Sequence, residues 1–239
     1  MGGAVFLEKA LEGGHMSRIK SELKIAGMNP VLILTAITAF FTLLAVVGGD
    51  LLHLSTIGFE VIFPFFAAIA VGEWGKTRAD KNYDAITAQG KSRFSWVFIR
   101  FFTIFAAVSL FALISMVIVF LVRKEMPLWE MVVIYFPPAF FLATLAALLN
   151  TCFEQEHISA LICSTAGLLT LMIRNTLRFP VMACLYLFIR HGGVTDGVWL
   201  INKAVLTLLG LLLWSAISLK CRQPCPDVHH PWITSDKEH

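Results

Sequence analysis

Charge is the scarcest feature of this sequence. Only 15% of its 239 residues are charged and 57% are hydrophobic. In soluble domains, about 25% of the residues are charged and about 45–50% are apolar. The shortage of charge excludes an ordinary soluble domain, and the formal net charge of +3 excludes a broad basic face for nucleic acid. The surplus of apolar residues excludes intrinsic disorder. A composition with 20 Phe and 6 Trp predicts an integral membrane protein.

Two further absences narrow the class. The five cysteines are an odd number, and Cys152, Cys163 and Cys184 lie in or beside apolar runs, which argues against a disulfide framework. No signal peptide with a cleavage site is visible, so the first apolar run is expected to stay in the protein.

The chain divides into three predicted parts. Residues 1–15 are expected to derive from a cloning vector, because His15-Met16 is typical of a cloning site; a short native helix is the alternative. Residues 16–220 are predicted to form the membrane domain, and residues 221–239 a cytoplasmic tail. Apolar residues recur at helical spacing between charges in residues 17–29, which predicts an amphipathic helix in the membrane interface. A solvated lead-in to the first span is the alternative.

Six apolar runs have the length of a membrane span, for which about 17–25 residues suffice. A pair of prolines, Pro137-Pro138, is predicted to break the fourth run. A seventh run, residues 179–189, is too short to span and predicts a re-entrant segment, unless it merges with the fifth span into one kinked element. The predicted fold is therefore an all-α integral membrane protein with six transmembrane helices, an N-terminal interfacial helix and an extracellular re-entrant segment between helices five and six. The predicted spans are residues 30–47, 57–72, 96–122, 128–149, 158–173 and 198–219.

The Lys and Arg residues outside the spans predict the orientation. Residues 16–29 before the first span, the loop after the second span and the C-terminal tail together carry eleven of them, and the loops of the opposite side carry five. This excess predicts that both termini lie in the cytoplasm. An even number of spans agrees, because it requires the termini to share a side.

The longest polar loop joins the second and third predicted spans. Residues 73–95 carry five basic residues together with Glu73, Asp80 and Asp84. A modest apolar face predicts a short helix over about residues 78–88. From the loop alone, a merely solvated connection is as good an account as a docking helix.

The order of residues in this loop points to one family. After two spans come Glu73, Gly75 and Thr77, then the turn Tyr83-Asp84-Ala85-Ile86-Thr87, and then Gly90, Ser92 and Arg93 before the third span. This pattern resembles the permeases of type-two ATP-binding-cassette exporters. The resemblance extends to the whole plan of helices over nearly all of residues 17–220.

The resemblance implies a permease subunit of an ATP-driven exporter in the bacterial inner membrane. Two copies of a separate ATPase and a second permease, identical or paralogous, would be its partners. The contacts with the ATPase would come from a coupling helix at residues 78–90 and from a smaller loop at residues 150–157. The implied ATPase-coupling residues are Glu73, Gly75, Thr77, Arg78, Tyr83, Asp84, Ile86, Thr87, Gly90, Arg93, Glu154 and Glu156.

ATP and Mg²⁺ are expected on the partner ATPase, with no cofactor bound by this chain. Gln89-Gly90-Lys91-Ser92 ends like a phosphate-binding loop, but Ala85 occupies the position where that motif needs glycine. The expected cargo is hydrophobic or amphipathic: a peptide, a lipid-like molecule or a drug.

Three charged residues lie inside or at the edge of predicted spans: Glu60, Arg100 and Lys203. Charge at membrane depth is costly and usually faces a cavity or a partner. Glu60 and Lys203 are expected at the same depth near the outer side, so the two alternatives are an ion pair or separate snorkelling to the interface.

Two other functions remain as alternatives. His191 and Asp196 have the order found in some membrane acyltransferases, in which Asp polarises a His base; a tight turn beside two glycines also explains them. The tail carries a Cys/His cluster with the residue types of a zinc site, which would suit a non-catalytic scaffold or sensor. That cluster comprises Cys221, Cys225, His229 and His230.

Overall fold

The computed structural model describes residues 29–47, 58–74, 93–123, 127–153, 158–172, 186–188 and 197–222. Apart from short flanking and turn residues, these all belong to helices, and no strand occurs among them, so the predicted all-α class is confirmed for this part of the chain. The helices are α1 (Asn29–Val47), α2 (Phe63–Trp74), α3 (Arg93–Arg123), α4 (Leu128–Cys152), α5 (Ile158–Met172) and α6 (Gly197–Arg222). A π-helical turn, Gly58–Ile62, runs directly into α2.

Three of the described helices are long and apolar enough to cross a membrane: α4, α6 and the stretch Phe94–Val122 of α3. A shorter apolar stretch, Leu32–Leu44, lies within α1. The 31 residues of α3 correspond to a length of about 46 Å, well above the hydrocarbon thickness of about 30 Å. This helix must therefore tilt or extend beyond the apolar layer.

In contrast to a soluble protein, this protein buries charged side chains and exposes apolar ones. Glu60, Arg100 and Lys203 are at most 6% exposed, whereas Leu208 and Leu212 on α6 are 59% and 64% exposed. Soluble proteins almost never bury charge unless it is paired, and they rarely present continuous apolar surface. Together with the long apolar helices, this distribution indicates a membrane protein.

The centre of the bundle is formed by α2 and α4. Helix α2 packs against α3, α4 and α5, while α4 lies between α2 and α6, and α1 packs on α3. Alanines line both central helices and are almost completely covered, which allows the backbones to approach closely, as small residues do between membrane helices. These alanines are Ala67, Ala68, Ala70, Ala139, Ala143, Ala146 and Ala147.

Aromatic rings join α3 to α6. The Trp214 ring of α6 lies 4.9 Å from the Phe101 ring of α3 in an edge-to-face arrangement and stacks on Phe102 at 6.0 Å. Phe94 and Phe98 approach the same indole at 5.9 and 5.7 Å. Such contacts add about 0.5–1.5 kcal/mol per pair beyond the buried area.

One expectation from the sequence was wrong: Pro137-Pro138 does not break the fourth helix, which is continuous from Leu128 to Cys152. A proline removes one backbone donor and clashes with the preceding turn, at a cost of about 3 kcal/mol. Both prolines are buried where α4 packs between α2 and α6. Membrane helices tolerate proline because neighbouring helices and small local adjustments compensate for the lost bonds.

Candidate functional site

The first polar site lies where the π-helical turn leads into α2. Its acidic residue is Glu60, the third residue of this turn, and the Glu60 side chain is buried. Gly58 permits the close approach of α1, because a Cβ at this position would lie 2.5 Å from the Phe41 ring. Single π-helical turns are rare and are frequent at functional sites. The turn thus presents an acidic side chain to the interior of the bundle.

Lys203 of α6 supplies the opposite charge. Its Nζ lies 3.7 Å from the Glu60 Oε1, and both side chains are at most 6% exposed. Of the two alternatives left by the sequence, the structure has the ion pair and not two separate charges at the interface. The same Nζ lies 5.8 Å from the centre of the Trp199 ring, within the range of a cation–π contact.

A turn of the predicted re-entrant run contacts this site. The Asn202 Nδ2 of α6 donates a hydrogen bond to the Tyr186 backbone carbonyl at 2.8 Å. Two residues on, Phe188 stacks on Phe65 of α2 with ring centres 5.5 Å apart. Residues 186–188 are buried. The described turn, residues 186–188, therefore contacts both α2 and α6, and its partner on α6 is the neighbour of Lys203 in the chain.

The Glu60–Lys203 pair has a definite chemical consequence. A buried ion pair contributes little to stability compared with apolar packing, but removing one partner leaves an uncompensated buried charge at a cost of about 3–5 kcal/mol. A conformation that separates the start of α2 from α6 must therefore supply each charge with water or another partner.

A second polar site lies at the other end of α2. The Asn150 Nδ2 of α4 donates to the Val71 carbonyl at 2.9 Å, and the Ser159 hydroxyl of α5 donates to the Asn150 Oδ1. The Ser159 Oγ also lies 3.4 Å from the Gly72 carbonyl. Asn150 and Ser159 are buried. The Asn150 side chain of α4 thus bonds a carbonyl in the last turn of α2, where intrahelical donors run out, and Ser159 of α5 bonds Asn150 in turn.

This second site lies at the roots of both loops that the sequence assigned to ATPase contact. Helix α2 ends at Trp74, two residues after Gly72, and Arg93 begins α3. Asn150 lies in the last turn of α4, and Ser159 is the second residue of α5. The last turn of α2 is therefore bonded to the end of α4, which is bonded in turn to the start of α5.

The predicted coupling residues are only partly within the described chain. Glu73 is the penultimate residue of α2 and is half-buried, and Arg93 is the first residue of α3. The other predicted coupling residues lie outside the described residues: Gly75, Thr77, Arg78, Tyr83, Asp84, Ile86, Thr87, Gly90, Glu154 and Glu156.

The remaining candidates are placed as follows. Arg100 is buried in the first third of α3. Cys221 is half-buried and packs against the core at the end of α6. No group of three His, Cys, Asp or Glu side chains that could hold a metal occurs among the described residues. His191, Asp196, Cys225, His229 and His230 lie outside that part of the chain.

Two polar residues of these sites, Ser159 and Asn202, were missed by sequence reasoning. The third, Asn150, was predicted to begin the loop 150–157, but residues 150–152 belong to the last turn of α4. Asn202 stands directly before Lys203 in an otherwise apolar run, and Asn150 ends another such run. An amide at membrane depth needs a hydrogen-bond partner, which was the available signal. Ser159 gave none, because a serine can bond a carbonyl of its own helix.

Comparison of the chain with protein-family models, with curated proteins and with solved structures found no match. A function is therefore inferred from the residues of the chain and from the order of motifs in its long polar loop.

Proposed function

We propose that this chain is the permease subunit of an ATP-binding-cassette exporter. It would pair with a second permease above two copies of a separate ATPase, with six spans and with both termini in the cytoplasm of a bacterial cell. The order of Glu73, Gly75 and Thr77 after α2, followed by Gly90, Ser92 and Arg93 before α3, motivates the proposal.

The observation that supports it best is the polar contact of α2, α4 and α5. An ATPase that binds a permease through two loops requires both loops to lie at the same end of the helix bundle. Val71 bonds Asn150 and Gly72 contacts Ser159, so the roots of loops 75–92 and 154–157 are adjacent. A permease subunit accounts for this adjacency and for the absence of nucleotide-binding motifs together.

The mechanism is a shift between conformations, without covalent chemistry on this chain. ATP binding closes the two ATPase subunits, and their movement is transmitted through the docked loops to the helices. A ligand shifts such an equilibrium only by its difference in affinity for the two states. The cargo would be hydrophobic or amphipathic, with peptide export as the first candidate, and would move between facing permeases.

The test is a pull-down from native membranes in mild detergent. The wild-type chain is compared with Tyr83→Ala plus Ile86→Ala, and recovered proteins are identified by mass spectrometry. A matched control is Leu121→Ala plus Trp129→Ala, which removes an exposed aliphatic side chain near the end of α3 and an exposed aromatic side chain at the start of α4.

We expect an ATPase subunit to be recovered with the wild type and with the control. We expect no such recovery with the Tyr83→Ala plus Ile86→Ala variant. Recovery of no ATPase with the wild type contradicts the exporter. Equal recovery with all three proteins contradicts the assignment of the coupling helix.

A further inference from the structure

We propose that Glu60, Trp199 and Lys203 form a binding site for a compact zwitterion, a small group that carries an ammonium beside a phosphate or a carboxylate. The phosphoethanolamine headgroup of a lipid and a free amino acid share this chemistry. The site goes beyond the proposed function, because its three residues lie on the π-helical turn and on α6 and need no ATPase to bind a ligand.

This part of the bundle already holds an ammonium group, which is that of Lys203. Its Nζ lies 3.7 Å from the Glu60 Oε1 and 5.8 Å from the centre of the Trp199 ring. A carboxylate and the face of an indole are groups that recognise organic ammonium ions in proteins. Both residues are buried. Glu60 and Trp199 therefore form an ammonium site that a side chain of the protein itself occupies.

Lys203 occupies this site without a direct hydrogen bond. The distance of 3.7 Å to Glu60 exceeds the roughly 2.7–2.9 Å of a charged hydrogen bond. The Nζ has no hydrogen-bond partner among the described residues, although an ammonium group has three donors. Moving the Nζ away from Glu60 therefore breaks no direct hydrogen bond, and an anionic group placed beside it would accept from these donors.

The side chain of Lys203 can move while α6 stays in place. Its ammonium ends a flexible four-carbon stem. The backbone of α6 is held at this level by Asn202, whose Nδ2 donates to the Tyr186 carbonyl at 2.8 Å. Opening the ion pair therefore requires rotation of one side chain and no displacement of a helix.

The charge of the site determines which ligand can enter it. The charges of Glu60 and Lys203 sum to zero, and an uncompensated charge in an apolar bundle is costly. A purely cationic ligand would leave a surplus positive charge, and a purely anionic ligand a surplus negative one. A zwitterion keeps the sum at zero, because its ammonium pairs with Glu60 and Trp199 while its phosphate or carboxylate pairs with Lys203.

The test is isothermal titration calorimetry on the full chain, purified in a non-ionic detergent. Dihexanoylphosphatidylethanolamine and leucine are the zwitterionic probes, one a lipid and the other soluble. Dihexanoylphosphatidylglycerol carries the negative charge alone, and hexylammonium carries the positive charge alone. We expect a zwitterion to bind the wild type, and each single-charge probe to bind at least about tenfold more weakly. Tighter binding of the lipid identifies a headgroup as the ligand, and tighter binding of leucine identifies a soluble zwitterion.

Three variants locate the bound zwitterion. Glu60→Gln plus Lys203→Met removes both charges together and should weaken binding at least about tenfold. Trp199→Leu removes the indole face and should weaken binding about threefold to tenfold. Lys220→Met is the matched control, because it removes an exposed basic side chain at the other end of α6 and should bind like the wild type.

Four results would overturn the site. They are no binding of either zwitterion, equal binding of a single-charge probe, unchanged binding by the double variant, and unchanged binding by Trp199→Leu. If the double variant does not fold, Trp199→Leu and the single-charge probes decide. The titration contains no ATPase, so its failure leaves the exporter standing, and a pull-down without ATPase leaves the zwitterion site standing.

Discussion

The Nζ of Lys203 lies 3.7 Å from the Oε1 of Glu60, and both side chains are covered by protein. This distance is that of an ion pair and is longer than a direct charged hydrogen bond of about 2.7–2.9 Å. The two residues come from a π-helical turn and from the last described helix. Their pairing connects parts of the chain 143 positions apart and neutralises two charges inside an apolar bundle.

Removing one member of this pair should destabilise the protein more than removing both. Glu60→Gln or Lys203→Met leaves a buried charge without its partner, and we expect a loss of about 3–5 kcal/mol from each single variant. The double variant should lie within about 1 kcal/mol of the wild type. Each variant is heated in mild detergent, and the fraction that remains folded is measured by size-exclusion chromatography. These fractions give the order of stability.

Lys220→Met serves as the control, because Lys220 is exposed at the end of α6 and should have little effect. A double variant that loses as much as the two single losses combined would show that the charges act independently.

Gly210 should not tolerate a side chain. A Cβ at this position would lie 2.6 Å from the Phe140 Cδ1 and 3.6 Å from the Phe141 Cα. Phe140 is buried and its ring contacts those of Phe101, Phe105 and Phe136, so Gly210→Val should cost about 1–3 kcal/mol through overpacking. Gly197→Val is the control, because a Cβ there meets nothing within 4 Å. Equal melting temperatures of the two variants would contradict the close approach of α6 to α4.

Trp214 should contribute more to stability than an exposed tryptophan of the same protein. Trp214→Ala removes a partly buried ring that contacts Phe94, Phe98, Phe101 and Phe102, and we expect a loss somewhat below the about 3–5 kcal/mol of a fully buried aromatic residue. Trp129→Ala, whose ring is 52% exposed, should cost much less. Thermal unfolding of both variants in the same detergent makes the comparison, and a reversed order would refute the packing of α3 against α6.

Ser109 and Tyr135 should show a small coupling energy. Their hydroxyl oxygens are 3.0 Å apart and join α3 to α4. Hydrogen bonds between membrane helices average about 0.6 kcal/mol in double-mutant cycles. Ser109→Ala, Tyr135→Phe and the double variant should therefore be non-additive by about this amount in unfolding free energy. Strict additivity would mean that the two hydroxyl groups do not bond each other.

The positions of the helices could largely be predicted from the sequence, because long uncharged runs leave few alternatives. Residues 30–47 were predicted as the first span, and α1 is Asn29–Val47; residues 158–173 were predicted as the fifth, and α5 is Ile158–Met172. The continuous α4 could not be predicted, because the tolerance of Pro137-Pro138 depends on the helices packed around them.

The polar sites show where sequence reasoning ends. Glu60 and Lys203 were recognised as costly charges, but only the packing of the helices decides between pairing and separate exposure. Asn150 and Val71 are 79 positions apart, and no local pattern connects them. The π-helical turn at Gly58–Ile62 has no simple sequence signal either.

The central claim is that both loops at one end of the bundle contact the same ATPase. Its most direct test is photo-crosslinking in living cells, with a photoreactive amino acid replacing Ile86, Gln155 or, as the control, Glu125, which follows the last residue of α3 by two positions in the sequence. We predict that positions 86 and 155 capture one and the same protein, identified by mass spectrometry as an ATPase subunit, and that position 125 does not. Capture of no ATPase at positions 86 and 155, or the same capture at all three positions, would contradict the account.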